Sequence, residues 1–235
     1  MPSNRSIMLN RRRLLAGAAA TSSFVAMPSI LRAQGAGLKV GVLLPRSGAQ
    51  AGIGQDCQRG VEVAGGILKQ LGYPSLQIMN ADTETNVEVA RARAEKLISD
   101  GAQLLVGAFD SGQSTAIAQV AEQKGIPFVI NIAAAPPITE QGYKFVFRNF
   151  ATAGMILSDA FQNQKEVFEA TGVAPKTVVF MHCNDTFGTA MQKGIGGLMP
   201  KFNMPYTITE TISYDPTARD LSVEVAKAKA TGAER

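Results

Sequence analysis

The chain has 235 residues, 46% of them hydrophobic and 18% charged, and its 23 basic side chains exceed the 19 acidic ones to give a formal charge of +4. Five of the basic residues (Arg5, Arg11, Arg12, Arg13 and Arg32) lie in the first 33 positions, which hold no acid, so the rest of the chain is nearly balanced and slightly acidic. That balance excludes the basic face needed by nucleic acid or an anionic membrane surface, and a single histidine with two distant cysteines excludes a zinc cluster or a disulfide scaffold, leaving a packed core as the source of stability.

The first segment is an address. "NRRRLLAGAAATSSFVA" (10–26) joins a basic start to a short, alanine-rich apolar run. It is too short and too weakly apolar for a spanning helix, which needs about 20 strongly apolar residues, and it has the composition of an export signal. The order Asn10-Arg11-Arg12-Arg13-Leu14-Leu15 resembles the twin-arginine signal, and "LRAQG" (31–35) offers cleavage after Ala33. A cleaved, periplasmic product is expected.

From Leu38 onward short apolar strands alternate with amphipathic helices, the pattern of a parallel sheet covered on both faces. "LKVGVLL" (38–44) predicts a strand and residues 54–71 a helix. "SLQIMNAD" (75–82) predicts the second strand. In the next helix Thr85 and Glu88 have capping-box spacing, Val87, Ala90, Ala94, Leu97 and Ile98 form an apolar stripe, and Gly101 ends it. Strands at 103–108 and 127–133 enclose a helix at 113–124. These elements make one doubly wound domain, with its ligand expected at the carboxyl ends of the strands.

"AAPPITEQGYKFVFRNF" (134–150) interrupts the series with two prolines and a short strand. A second α/β series follows: helix 152–171, strand 177–182, helix 187–202, strand 206–214 and helix 220–230. The expected organisation is an export signal at 1–33, an N-terminal lobe at 34–150 and a partial C-terminal lobe at 151–235. Two strands leave the second lobe without partners for its apolar faces, so the expectation is a C-terminally incomplete chain.

Three stretches could carry chemistry. "SGAQAGIG" (47–54) fits the Gly-x-x-x-Gly-x-Gly loop of short-chain dehydrogenases, with Asp82 placed to hold a ribose. That family also needs tyrosine four residues before lysine, and none of Tyr73, Tyr143, Tyr206 or Tyr214 has one, so an NAD enzyme stays a remote alternative. His182 and Cys183 are neighbours in an extended segment and point to opposite sides, which prevents direct pairing. No catalytic residue, metal site or cofactor is expected. In "VGAFDSGQS" (106–114), Ser111 stands where the third strand hands over to a helix. A helix start offers unpaired N–H groups and suits a small carboxylate, although a serine there also serves as a plain N-cap.

Together "KVGVLLPRSGAQAGIGQDCQRGVEVA", "LVGAFDSGQSTAIAQVAEQKGIPFVINIAAAPPITEQGYKFVFRN" and "HCNDTFGTAMQKG" resemble the leucine/branched-chain amino-acid family of periplasmic substrate-binding proteins of ABC transporters. The resemblance implies two doubly wound lobes of the type I periplasmic binding fold, closing on a solute and delivering it to an ABC permease in the inner membrane. It places the carboxylate anchor at Ser111, contacts at Ile132, Ala133 and Ala134, a closing side chain at Phe187 and a first-loop contact at Ile53. Phe109 and Asp110 flank the anchor. Ala134 stands where amino-acid binders usually have threonine, and Phe187 and Ile53 stand where they have tyrosine, so the site has lost polar groups. The expected solute is a carboxylate with an apolar body, aromatic or aliphatic, with a branched-chain or other amino acid second. The mature protein is expected to be a monomer that binds no nucleic acid. A ligand sensor or amide-responsive regulator on the same fold is the alternative from another class.

Overall fold

The computed structural model describes residues 37–233; the export signal read at 1–33 lies outside them. Strands β1 (Leu38–Leu44), β2 (Leu76–Asp82), β3 (Leu104–Gly107), β4 (Phe128–Ile130) and β5 (Val146–Arg148) form one sheet in the order β2-β1-β3-β4-β5. The pairs β1/β3, β3/β4 and β4/β5 are parallel. Helices α1 (Ala51–Gln70), α2 (Val87–Ser99) and α3 (Ser111–Lys124) connect the first four strands. Chain direction across the sheet reverses between β1 and β3, and the crevice at their carboxyl ends is where such sheets take ligands.

Residues 153–230 build a second, smaller α/β series: α4 (Ala153–Thr171), β6 (Thr177–Cys183), α5 (Thr186–Phe202), β7 (Thr207–Tyr214) and α6 (Ser222–Ala230). β6 and β7 pair in parallel along their whole length, from Thr177 opposite Thr207 to Cys183 opposite Tyr214. The cores are unequal. Leu43, Leu105, Ile117, Phe128 and Ile130 anchor a large buried cluster in the first sheet, whereas among the described residues the cluster of the second has Leu157, Phe161 and Ile195 as its buried members.

The expected elements are all present, and the differences have local causes. The capping box at Thr85 does not form, because the Thr85 hydroxyl donates to the Ser47 carbonyl (2.8 Å) and accepts from Gln50 N (3.1 Å). Asn86 caps α2 instead, its Oδ1 accepting from the N–H groups of Glu88 and Val89. The helix expected from 113 begins at Ser111, because Asp110 caps it by accepting from Gln113 N at 2.8 Å. The short strand after the two prolines joins the first sheet beside β4. Val87, assigned to the buried stripe of α2, is exposed, while Ala90, Ala94 and Leu97 are buried.

Candidate functional site

Two of the three glycines of "SGAQAGIG", Gly48 with its positive φ and Gly54, do structural work. At Gly54 in α1 a Cβ would lie 2.0 Å from the Pro45 carbonyl oxygen, so only glycine lets the helix press onto the end of β1. The same device recurs in α5, where a Cβ on Gly188 would lie 1.9 Å from the Cys183 carbonyl oxygen. Asp82, the candidate ribose acid, accepts from the N–H groups of Arg46 (2.9 Å), Ser47 (3.2 Å) and Glu84 (2.9 Å) and so ties the loop after β1 to the end of β2. Burial works to raise its pKa, but these hydrogen bonds prevail and hold it below the ordinary carboxylate value.

Beyond β3 the chain turns at Phe109 and Asp110 into α3. Ser111 is the first helical residue and is only 2% exposed. Its hydroxyl accepts from Ala135 N at 3.3 Å, linking α3 to the segment that leaves β4. The N–H of Ser111 lies in the first turn, where no intrahelical acceptor exists. On the other side Asn131 N donates to the Gly107 carbonyl (3.1 Å), and Ala153 N, at the start of α4, donates to the Ala134 carbonyl (2.8 Å). The N–H groups of Ala133 and Ala134 have no acceptor among the described residues.

These segments border a cavity of about 470 Å³. From the first sheet it is lined by Phe109, Asp110 and Ser111 after β3 and by Ile132, Ala133 and Ala134 after β4; from the second α/β series it takes Phe187 of α5. Ile53 does not line it: that side chain lies on α1, 42% exposed. Reading the sequence missed Gln50, Ile156, Cys183, Asp185 and Tyr214, which with Phe150 and Pro216 complete the wall. The signal for Asp185 was its place one residue before a helix, and the parallel register that sets Tyr214 opposite Cys183 needed the fold.

The helix starts of α3, α4 and α5 all reach this cavity, through Ser111, Ile156 and Phe187. Each start carries partial positive charge. Two of them are capped by carboxylates, Asp110 on α3 and Asp185 on α5; Asp185 Oδ1 accepts from Gly188 N (2.7 Å) and from the Cys183 thiol (3.1 Å). Burial, helped by this hydrogen bond and the negative charge of Asp185, pushes the Cys183 thiol up to about 11. A thiol so held is protonated and a poor nucleophile. Asp110 Oδ2 accepts from Gln50 Nε2 (3.2 Å), and Gln50 Oε1 accepts from Gln113 Nε2 (3.3 Å). Both cysteines are free. Among the described residues no group of histidine, cysteine and carboxylate side chains could hold a metal ion, and no helix is long and apolar enough to cross a membrane.

A larger groove of about 770 Å³ runs between α5, the start of α4 and the short turn at Pro136–Ile138. Its walls include the small residues Ala153, Gly154, Ala190, Gly194 and Gly197. The smaller cavity is the better candidate because the start of α3 borders it together with Ala133 and Ala134, whose N–H groups have no acceptor among the described residues.

A family model described as periplasmic binding protein matches residues 37–234. The chain is 25% identical over 222 residues to a Leu/Ile/Val-binding protein homologue of Brucella melitensis biotype 1, covering 90% of this chain and 56% of the relative. Among solved structures it matches an extracellular ligand-binding receptor from Rhodopseudomonas palustris HaA2 with a TM-score of 0.71 at 21% identity, over 84% of this chain and 53% of that one. It also matches an R. palustris ABC-transporter solute-binding protein in complex with benzoate, with a TM-score of 0.70 at 25% identity, over 84% of this chain and 54% of that one. The chain thus spans about half the length of the relatives it matches, and its α/β architecture is that of the type I periplasmic binding fold.

Proposed function

The chain belongs to the periplasmic binding protein family, and from that premise we propose that it is an extracytoplasmic solute-binding protein of an ABC importer, without catalysis, taking a small carboxylate with an apolar body in the cavity beside Ser111. The observation that carries this reading is the pairing of donors and walls. Ser111, Ala133 and Ala134 bring N–H groups without acceptors among the described residues, while Phe109, Ile132, Ile156 and Phe187 supply apolar surface. A carboxylate satisfies the donors, and an aromatic or aliphatic body fills the space they border. The benzoate complex of one structural relative supports an aromatic acid.

A branched-chain amino acid is the second reading, favoured by Asp185, whose Oδ2 is free of the contacts that occupy Oδ1 and could accept from an ammonium. The Leu/Ile/Val-binding relative points the same way. In either case the solute passes to a membrane permease, the exported chain acts in the periplasm as a monomer, and residues 34–150 and 151–235 serve as the two lobes. A sensor role on the same fold would need a signalling protein as partner instead. Thermal unfolding with benzoate, leucine and valine tests the assignment. Benzoate is expected to raise the midpoint; stabilisation by leucine or valine alone selects the amino-acid reading, and no stabilisation by any of them overturns the cavity as an acid site.

A further inference from the structure

Arg148 ends β5 behind the wall of the cavity and does not line it. Its guanidinium spends its donors on uncharged groups: Nη1 donates to the Ala133 carbonyl, and Nη2 donates to the Ala135 carbonyl (2.7 Å) and to the Thr139 hydroxyl (3.1 Å). No carboxylate lies within ion-pair distance of it among the described residues, and its Nε is buried without a partner. Burial lowers its pKa, with the charge of Glu140 opposing, yet a guanidinium remains a cation at any physiological pH. A partly buried cation held on two backbone carbonyls is an expensive way to fasten a loop.

The geometry of the peptide unit shows what this arrangement does. In a planar trans peptide the C=O of one residue and the N–H of the next point in opposite directions, and the described chain has no cis peptide. With the Ala133 carbonyl turned to Arg148, the N–H of Ala134 points to the opposite side, where the cavity lies. The next unit shows the same alternation: the Ala134 carbonyl takes Ala153 N, and the Ala135 N–H goes the other way to Ser111 Oγ. Positive charge on the Ala133 carbonyl also polarises that peptide and strengthens its N–H as a donor.

Building on the carboxylate reading of the cavity, we propose that Arg148 is a positioning residue that sets ligand class, by holding the Ala133 carbonyl away from the cavity so that this peptide offers its Ala134 N–H to a carboxylate and no acceptor to an ammonium. Freed of Arg148, the Ala133 carbonyl becomes an acceptor, and the wall no longer favours an acid over an amino acid.

Calorimetric titration of wild type, R148K and R148Q with benzoate and with leucine, beside thermal midpoints without ligand, tests this. Hydrogen bonds to charged partners contribute enough that R148Q should weaken benzoate about tenfold or more, and leucine by less, so the benzoate-to-leucine affinity ratio falls. R148K keeps the charge without the two-pronged fork and should fall between. A ratio unchanged in R148Q, whatever its midpoint, makes Arg148 merely structural and overturns the proposal. If R148Q does not fold, the wild type decides: its Ala134 amide proton should move downfield in NMR when benzoate binds, and an unmoved signal with benzoate bound overturns the proposal. A wild type that binds neither ligand sinks the carboxylate reading itself, and this inference with it.

Discussion

Replacing Ser111 by alanine removes an acceptor that the fold already uses. Its hydroxyl holds Ala135 N, in a pair that is buried, so S111A leaves a buried N–H without a partner at a cost of about 1–3 kcal/mol. The unliganded midpoint should fall in thermal unfolding, and the stabilisation by benzoate should shrink as well; an unchanged midpoint would mean that Ala135 N has another acceptor. Sequence singled out Ser111 but did not show this bracing role, because a serine at a strand-to-helix junction caps, anchors or braces according to a partner 24 residues away. Asp110 took the cap, and Gln50 and Tyr214 stayed invisible because only the fold brings their distant segments together. Acid sensitivity follows at Asp82. Its pKa is lowered in the fold, so its contribution is present above the unfolded value of about 3.9 and is lost as pH falls through the folded value. D82A should therefore lower stability near neutral pH and flatten the acid limb of a stability-against-pH curve measured by urea denaturation, while an acid limb of unchanged slope would show that Asp82 contributes nothing to it. For Cys183, the rate of thiol alkylation should keep rising up to a pH of about 11; a plateau near 8.5, the value of an ordinary thiol, would contradict the hydrogen bond to Asp185.

At the scale of elements, hydrophobic period and glycine position gave helices and strands to within a few residues, since β1, α2 and α4 carry strong patterns. What period could not give was the job of each glycine. In "SGAQAGIG" a pyrophosphate cradle and a tight helix-to-strand contact need the same residue type, and Gly54 serves the contact. G54A should destabilise by about 1–3 kcal/mol, because the colliding atom is backbone and cannot rotate away. G52A, two residues earlier in the same helix with nothing within 4 Å of a Cβ, should instead gain about 0.5–1 kcal/mol from higher helix propensity. Urea midpoints of the two variants compare these directly, and equal midpoints would refute the close approach. G188A repeats the first case at α5, and because Asp185 and Phe187 sit at that helix start, its effect should extend to benzoate affinity.

Across the whole molecule the cavity is bordered by two unequal partners. Ser111, Ala133 and Ala134 rest on a five-stranded sheet whose buried cluster includes Leu43, Leu105, Ile117, Phe128 and Ile130, whereas Phe187, Cys183 and Tyr214 rest on two strands over the small buried cluster of Leu157, Phe161 and Ile195. Sequence showed this asymmetry in its count of strands, but not that the short strand at Val146–Arg148 would complete the first sheet and bring Arg148 behind the wall. Local opening follows buried contact, so stability should differ between the two sheets. Hydrogen exchange followed by mass spectrometry should find slow amides in β1, β3 and β4 and amides in β6 and β7 exchanging faster by orders of magnitude. A bound solute touching both partners would then narrow the gap, since stabilisation by ligand falls on every opening that breaks the site. With benzoate present, protection should rise most around Cys183 and Tyr214, where the free chain opens most readily. Equal protection of the two sheets without ligand would mean that β6 and β7 are held by contacts other than Leu157, Phe161 and Ile195. A gain confined to the first sheet would place the solute on Ser111 and Ala134 alone, with Phe187 outside its reach.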